Sequence, residues 1–481
     1  MKLFRALMGY APVNAAQALV GFGGVYVFTR LLGAEDYGRY ALLVSAQAIV
    51  HTMTLTWAEA AAYRFAATAE VEGRRADHLS TMLPLMARSA LLAVFAVGLL
   101  ALVFRNDPKY LAILPWMAGL IVLNTVVQTA LEMHKAHQRI PRYALVETLR
   151  VLSGFLIGAG LAWGSGAGAA APFIGMAAAS LAAALTEGRW LLTQAKGGRH
   201  DPVRARAALQ YGAPIAAALL LDILHSAGDR FMLAYFLDEA AVGAYAAGYG
   251  VADKTVLILC AWAALAGSPI MMAAWEREGE AGARREAGGL IGAILLVGLP
   301  AATGLALVAQ PLAEVMIAED LREQAMKTIP WIATAGLFNG MLIHYWSEAF
   351  QLTRKTGQRA ILMLIPTLAN LAANLFLIPW LGLMGAVYAT VGSYTLGNFV
   401  LALAGRRHLK LPLPLTSLVK LLLATAGMAA VLVVIPDFGG LPELLVKALA
   451  GAAVYATLVF TLNVSDARSL LRRLKPARTP D

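Results

Sequence analysis

Arg88, Arg150, Arg230 and Lys254 each fall inside a run of apolar residues, and so do Glu147, Asp222, His225, Asp229 and Asp253. A charge at bilayer depth is costly, so it faces a wet cavity or a partner. The cations suit a dense anion such as a phosphate or diphosphate, because guanidinium and ammonium groups bind it through charge-assisted hydrogen bonds. The acids and the imidazole suit uptake of a proton or a sodium ion. Glu147 and Arg150 are three residues apart. Asp222, His225 and Asp229 are spaced by three and four, so each set shares one helix face. Mutual neutralisation, Glu147 with Arg150 and Asp229 with a nearby cation, is the competing reading. Glu132, His134 and His137 lie in a basic loop with poor ligand geometry, and no metal site is expected there. No G-x-x-x-x-G-K-[ST] phosphate loop occurs, and no cofactor is expected.

The elements that must carry these residues are apolar runs of about 20 residues, the length of a bilayer-spanning helix. About fourteen follow one another, at 9–30, 41–62, 82–104, 111–131, 144–163, 173–193, 213–237, 243–271, 288–308, 328–350, 361–380, 384–404, 416–435 and 445–463. The gaps between them alternate in charge. About 26 Lys and Arg residues fall on one side, counting the chain start, every second gap and the tail, against about six on the other. Positive residues mark the cytoplasmic side, so both termini are expected there. The first helix reads as an uncleaved anchor rather than a secretory leader.

Composition agrees. The 481 residues are 59% hydrophobic, mean hydropathy is +0.66, and only 14% are charged, against about 25% in a soluble protein. The net charge of +10 is spread over short loops beside apolar helices. That pattern fits topology and anionic phospholipid contact, not nucleic acid. The single cysteine, Cys260, excludes a disulfide framework and reads as a packing residue. No polar stretch is long enough to fold as a soluble catalytic domain. A membrane-embedded glycosyltransferase or polymerase would need a catalytic set on a substantial loop, and the loops are short.

A weak repeat organises the spans. Leu32, Gly38, Tyr40 and Ala41 align with Leu237, Gly243, Tyr245 and Ala246, and the helix order agrees. The expected fold is an all-α membrane protein with two six-helix lobes in parallel repeat, the substrate site between them, and a terminal helix pair. The lobes would be residues 1–194 and 213–404, joined by a cytoplasmic linker at 195–212. Residues 405–481 would hold the helix pair and a basic tail.

Three segments carry a resemblance. The stretch TRLLGAEDYGRYAL at 29–42, the stretch from Gly228 to Ala246, and NLFLIPWLGLMGA at 374–386 resemble bacterial polysaccharide repeat-unit flippases of the multidrug/oligosaccharidyl-lipid/polysaccharide exporter superfamily. The resemblance implies a two-lobed transporter of fourteen helices, without ATP hydrolysis. It would move undecaprenyl-diphosphate-linked oligosaccharide across the bacterial inner membrane by alternating access, for surface polysaccharide, exopolysaccharide or lipopolysaccharide assembly. Arg88, Arg150, Arg230 and Lys254 would then line the substrate cavity. Asp222, His225, Asp229 and Asp253 are the candidates for ion coupling. Partners would be the lipid-linked oligosaccharide, anionic phospholipid and polymerase or assembly proteins. A cation-coupled multidrug exporter of the same superfamily is the alternative. It would need acids in the first lobe's cavity, where the sequence offers mainly Arg88 and Arg150.

The charge asymmetry makes a testable statement about topology. Reporter fusions at Gly168 and Gly440 are expected to behave as periplasmic and one at Gly197 as cytoplasmic. A cytoplasmic signal at Gly168 would overturn the assignment of the first half.

Overall fold

A computed structural model describes residues 2–464, with side chains from 9 onward. Among the described residues the chain is helical, with no strand. Its helices are α1 Lys2–Thr54, α2 Thr56–Val71, α3 Arg75–Val103, α4 Pro108–Ala136, α5 Ile140–Gly164, α6 Ala171–Ala195, α7 Pro202–Phe236, α8 Glu239–Leu307, α9 Ala309–Met316, α10 Glu319–Met341, α11 Glu348–Leu352, α12 Thr356–Leu381, α13 Leu383–Gly405, α14 Leu415–Val434 and α15 Gly440–Thr461. Eleven are long and apolar enough to cross a membrane. Lipid cannot satisfy exposed backbone groups, so spans bond within themselves as helices.

Two elements, of 53 and 69 residues, are long enough for two crossings. α1 breaks at Gly33 (φ 71°) and α8 at Gly279 (φ 62°), conformations that glycine adopts without a Cβ penalty. Each break falls in a gap between predicted spans. α10 begins nine residues before its predicted span at 328. Its opening turns carry Glu319, Asp320, Glu323 and Lys327 rather than apolar residues, and Lys327 pairs with Glu323 at 2.6 Å. Between α10 and α11 the backbone widens into a π-helical turn, Leu342–Trp346.

The chain divides into two compact units, one ending at Gly243 and one beginning at Ala244. In the first, α2 turns an alanine stripe inward: Ala58, Ala61, Ala62 and Ala66 pack against Leu79, Met82, Met86, Ala130, Met133, Leu191 and Ala208. Alanines let helices close on one another where burial of apolar surface gives no drive, lipid tails being equally apolar. α7 packs against α1 and α2 within this unit. In the second unit α12 packs on α13, α10 on α13, and α14 on α15. Phe376, Trp380, Leu102 and Val433 are largely exposed, an arrangement that suits lipid as solvent.

The closest approach of α5 and α6 runs through glycine. A Cβ on Gly175 would overlap the backbone of Gly158 and Gly154. Backbone cannot move aside as a flexible side chain can, so Gly175→Ala is expected to destabilise the purified protein by about 1–3 kcal/mol, read as a lower melting temperature in detergent. Gly164→Ala, with nothing within 4 Å of its Cβ position, is the control and should leave it unchanged.

Candidate functional site

The charges inside α5 form the best-defined cluster. Arg150 and Glu147 stand one turn apart, and Arg150 Nε and Nη2 donate to Glu147 Oε2 at 3.0 and 2.8 Å, Nη2 also to Oε1 at 2.8 Å. The remaining guanidinium nitrogen, Nη1, donates to Asn124 Oδ1 of α4 at 3.1 Å and to Ser180 Oγ of α6 at 3.4 Å. Ser180 Oγ also donates to Asn124 Oδ1 at 2.9 Å. Arg150 is only 7% exposed. The structure thus does not set Arg150 in open space: its fork is engaged by a carboxylate, an amide and a hydroxyl, and it joins three helices. Such charge-assisted bonds are strong in a dry bundle.

The other predicted cations are less enclosed. Arg88 on α3 is exposed and makes no hydrogen bond or ion pair among the described residues. Arg230 on α7 is half-buried; its Nη1 donates to Ser226 O at 3.0 Å and lies 3.9 Å from Asp229 Oδ1. Lys254 is exposed. Among the predicted coupling residues, His225, Asp229 and Asp253 are buried and Asp222 is half-buried. The first unit holds Arg88, Arg150, Asp222, His225, Asp229 and Arg230, and the second holds Asp253 and Lys254.

Two clusters escaped sequence reasoning. Glu187 of α6 is buried between His134 Nε2 of α4, at 2.8 Å, and the Arg142 guanidinium of α5, while His134 stacks on Trp190. A lone Glu near a helix end gives no hint of partners on two other helices. Glu443 and Lys447 of α15 pair at 2.6 Å, 1% and 3% exposed, and Lys447 also reaches Asp437 at 2.6 Å. Here a signal existed: opposite charges four apart in an apolar run. Glu132, His134 and His137 take separate partners, Lys135, Glu187 and the Met133 carbonyl. No group of metal-ligating residues occurs among the described residues.

The loops are tied by ion pairs as well. Arg74 bridges Asp77 at 2.9 Å and Asp201 at 3.1 Å, linking the start of α3 to the start of α7, and Arg75 grips Glu70. The Arg75 guanidinium holds the Glu70 carboxyl below the usual range, and the Arg204 backbone N–H does so for Asp201. Lys447 likewise holds Asp437 down. Lowered acids contribute stability above their unfolded values and lose it as pH falls through the lowered ones, so these ties open only under acid conditions. In the second unit an amide ladder joins α12 to α13: Asn374 Nδ2 donates to Asn370 Oδ1 at 3.0 Å, and Asn370 Nδ2 to Ser393 Oγ at 3.3 Å.

Among the described residues the chain is a helical bundle with eleven helices long and apolar enough to cross a membrane, and known structures have the same fold. The structure of "Lipid II flippase MurJ, inward closed conformation" superposes with a TM-score of 0.75 at 14% identity, covering 97% of this chain and 100% of that one. An inward-facing multidrug resistance MATE family transporter of the MOP superfamily gives 0.65 at 14% identity over 82% of this chain and 94% of that one. The MATE multidrug transporter DinF-BH gives 0.60 at 12% identity, over 84% and 95%. No curated protein sequence matches the chain. The profile of the polysaccharide biosynthesis protein family matches residues 8–275, and the chain belongs to that family.

The Arg150 cluster predicts an asymmetry among substitutions. Glu147→Ala strands a buried guanidinium and is expected to cost about 3–5 kcal/mol. The double variant Glu147→Leu/Arg150→Met removes both charges and should recover most of that loss, as judged by melting temperature and yield in membranes. Equal damage from the single and double variants would show that the pair is not a packing clamp.

Proposed function

We propose that this protein translocates undecaprenyl-diphosphate-linked oligosaccharide across the bacterial inner membrane, supplying surface polysaccharide, exopolysaccharide or lipopolysaccharide assembly. Membership of the polysaccharide biosynthesis family carries the reading. Its support is a fold shared over the full length of a lipid II flippase. On this reading the chain crosses the membrane fourteen times with both termini cytoplasmic, and two six-helix lobes work by alternating access. It is a transporter rather than an enzyme. Polymerase and assembly proteins would receive its product, and anionic phospholipid would contact its basic loops.

The electrostatics favour an anionic cargo. Arg88 and Lys254 are exposed and Arg230 is half-buried, so these three are the cations proposed to meet the diphosphate, while Arg150 ties α4, α5 and α6 together. A guanidinium attracts a diphosphate and repels a lipophilic cation. The multidrug reading is not favoured: the MATE structures cover less of the chain and superpose less well.

A deletion strain decides between the two. It should lose polymer export and accumulate undecaprenyl-diphosphate oligosaccharide in the cytoplasmic leaflet, with unchanged sensitivity to cationic dyes. Arg88→Ala/Arg230→Ala/Lys254→Ala should not restore export although it reaches the membrane. Normal polymer together with raised dye sensitivity would refute the flippase reading.

A further inference from the structure

Three buried glutamates in this protein come with cations. Glu147 has Arg150, Glu187 has Arg142 and His134, and Glu443 has Lys447, all within 4 Å. Glu348 does not. It is the first residue of α11, 7% exposed, and no cation lies within 4 Å of it among the described residues. Among the described residues its carboxyl accepts one hydrogen bond, from Ser268 of α8, whose Oγ donates to Oε1 at 2.8 Å.

Among the described residues, charged groups on the adjoining segments make no bond to it. Arg359 of α12 donates through Nε to Ser347 Oγ at 2.8 Å. His408, beyond the end of α13, lies edge-on to Phe350 and bonds Gln358 at 2.7 Å. His344 sits on the π-helical turn, and Lys355 precedes α12 without a side-chain capping bond. A carboxylate so placed would have one hydroxyl to offset the loss of water, which does not compensate a full charge.

Its position in the backbone adds a second observation. Glu348 follows Leu342–Trp346 directly, where Ser347 N bonds Leu342 O at 3.2 Å across the widened turn and Ser347 Oγ bonds the same carbonyl at 2.8 Å. π turns interrupt the regular ladder and are frequent at functional sites. The Ser268–Glu348 bond spans α8 and the segment carrying this irregularity.

We propose that Glu348 is a proton-binding site, occupied in the conformation seen here, which releases its proton when α8 and the π turn move apart. The release rests on the transport cycle proposed above; the occupied site does not. In the packed arrangement the neutral acid accepts from Ser268. On separation Glu348 loses Ser268, gains water, and the O–H bond breaks to leave a carboxylate and a solvated proton. Raising pH then favours the separated conformation, because a state that binds fewer protons gains as pH rises.

Infrared difference spectra of the purified protein in lipid nanodiscs test occupancy without any substrate. Wild type minus Glu348→Gln should show a carboxylic-acid C=O band near neutral pH, and Ser268→Ala, which keeps the carboxyl, should shift it. Carboxylate bands alone at every pH would overturn the site. If Glu348→Gln does not accumulate, an unshifted acid region in Ser268→Ala does the same. The linkage is tested in proteoliposomes with undecaprenyl-diphosphate bearing a fluorescent sugar. The wild-type flipping rate should depend on pH, by at most about tenfold per unit for one proton, and Glu348→Gln should flip without that dependence. An unchanged pH profile in Glu348→Gln would overturn the linkage. A probe that wild type fails to move, with the acid band present, would refute the flippase reading and support the proton site.

Discussion

Around a helix bundle in lipid there is no water for a charged group to fall back on, and most of what is specific in this structure follows from that constraint. A soluble protein exposes its ions and buries its apolar surface. Here apolar side chains such as Phe376 and Trp380 point outward, and ions buried in the bundle are held by partners. Glu147, Glu187 and Glu443 each find a cation from their own or a neighbouring helix. The Glu187 pairs bear on which helices can be neighbours, because displacing α6 from α4 and α5 would leave a bare charge in a dry interior.

Close packing works alongside the ion pairs. The glycine contact of α5 with α6 brings backbones close enough for a short side chain such as Ser180 to reach Arg150. The two devices depend on each other: larger residues at the contact would hold the helices too far apart for this bond to form.

How much of this was legible in the sequence depended on distance along the chain. Much of the helical layout was, because the apolar runs are continuous: where α1 and α8 pass through Gly33 and Gly279, the predicted gaps fall at the breaks, although the run at 41–62 is divided between α1 and α2. The polar opening of α10 was not, since it extends the helix beyond its apolar stretch. Glu147 with Arg150 could be read from a spacing of three, but their neighbours Asn124 and Ser180 lie 26 and 30 residues from Arg150. Glu187 was invisible for the same reason. Exposure could not be read either: Arg88 and Arg150 look alike in a hydropathy plot, yet one is open and the other is enclosed.

The placement of Glu147 and Arg150 on a single helix bears on how the protein is made. Partners one turn apart can meet as soon as α5 has coiled, before any other span is beside it. The apolar part of the helix, beyond Arg142, can therefore enter the bilayer with its two ions already paired rather than separate. Only afterwards does Nη1 find Asn124 and Ser180, as α4 and α6 close in. Glu187 has no such early partner: His134 and Arg142 come from α4 and α5, both synthesised before it. α5 thus carries its own counter-ion into the membrane, whereas α6 enters towards partners that are already in place.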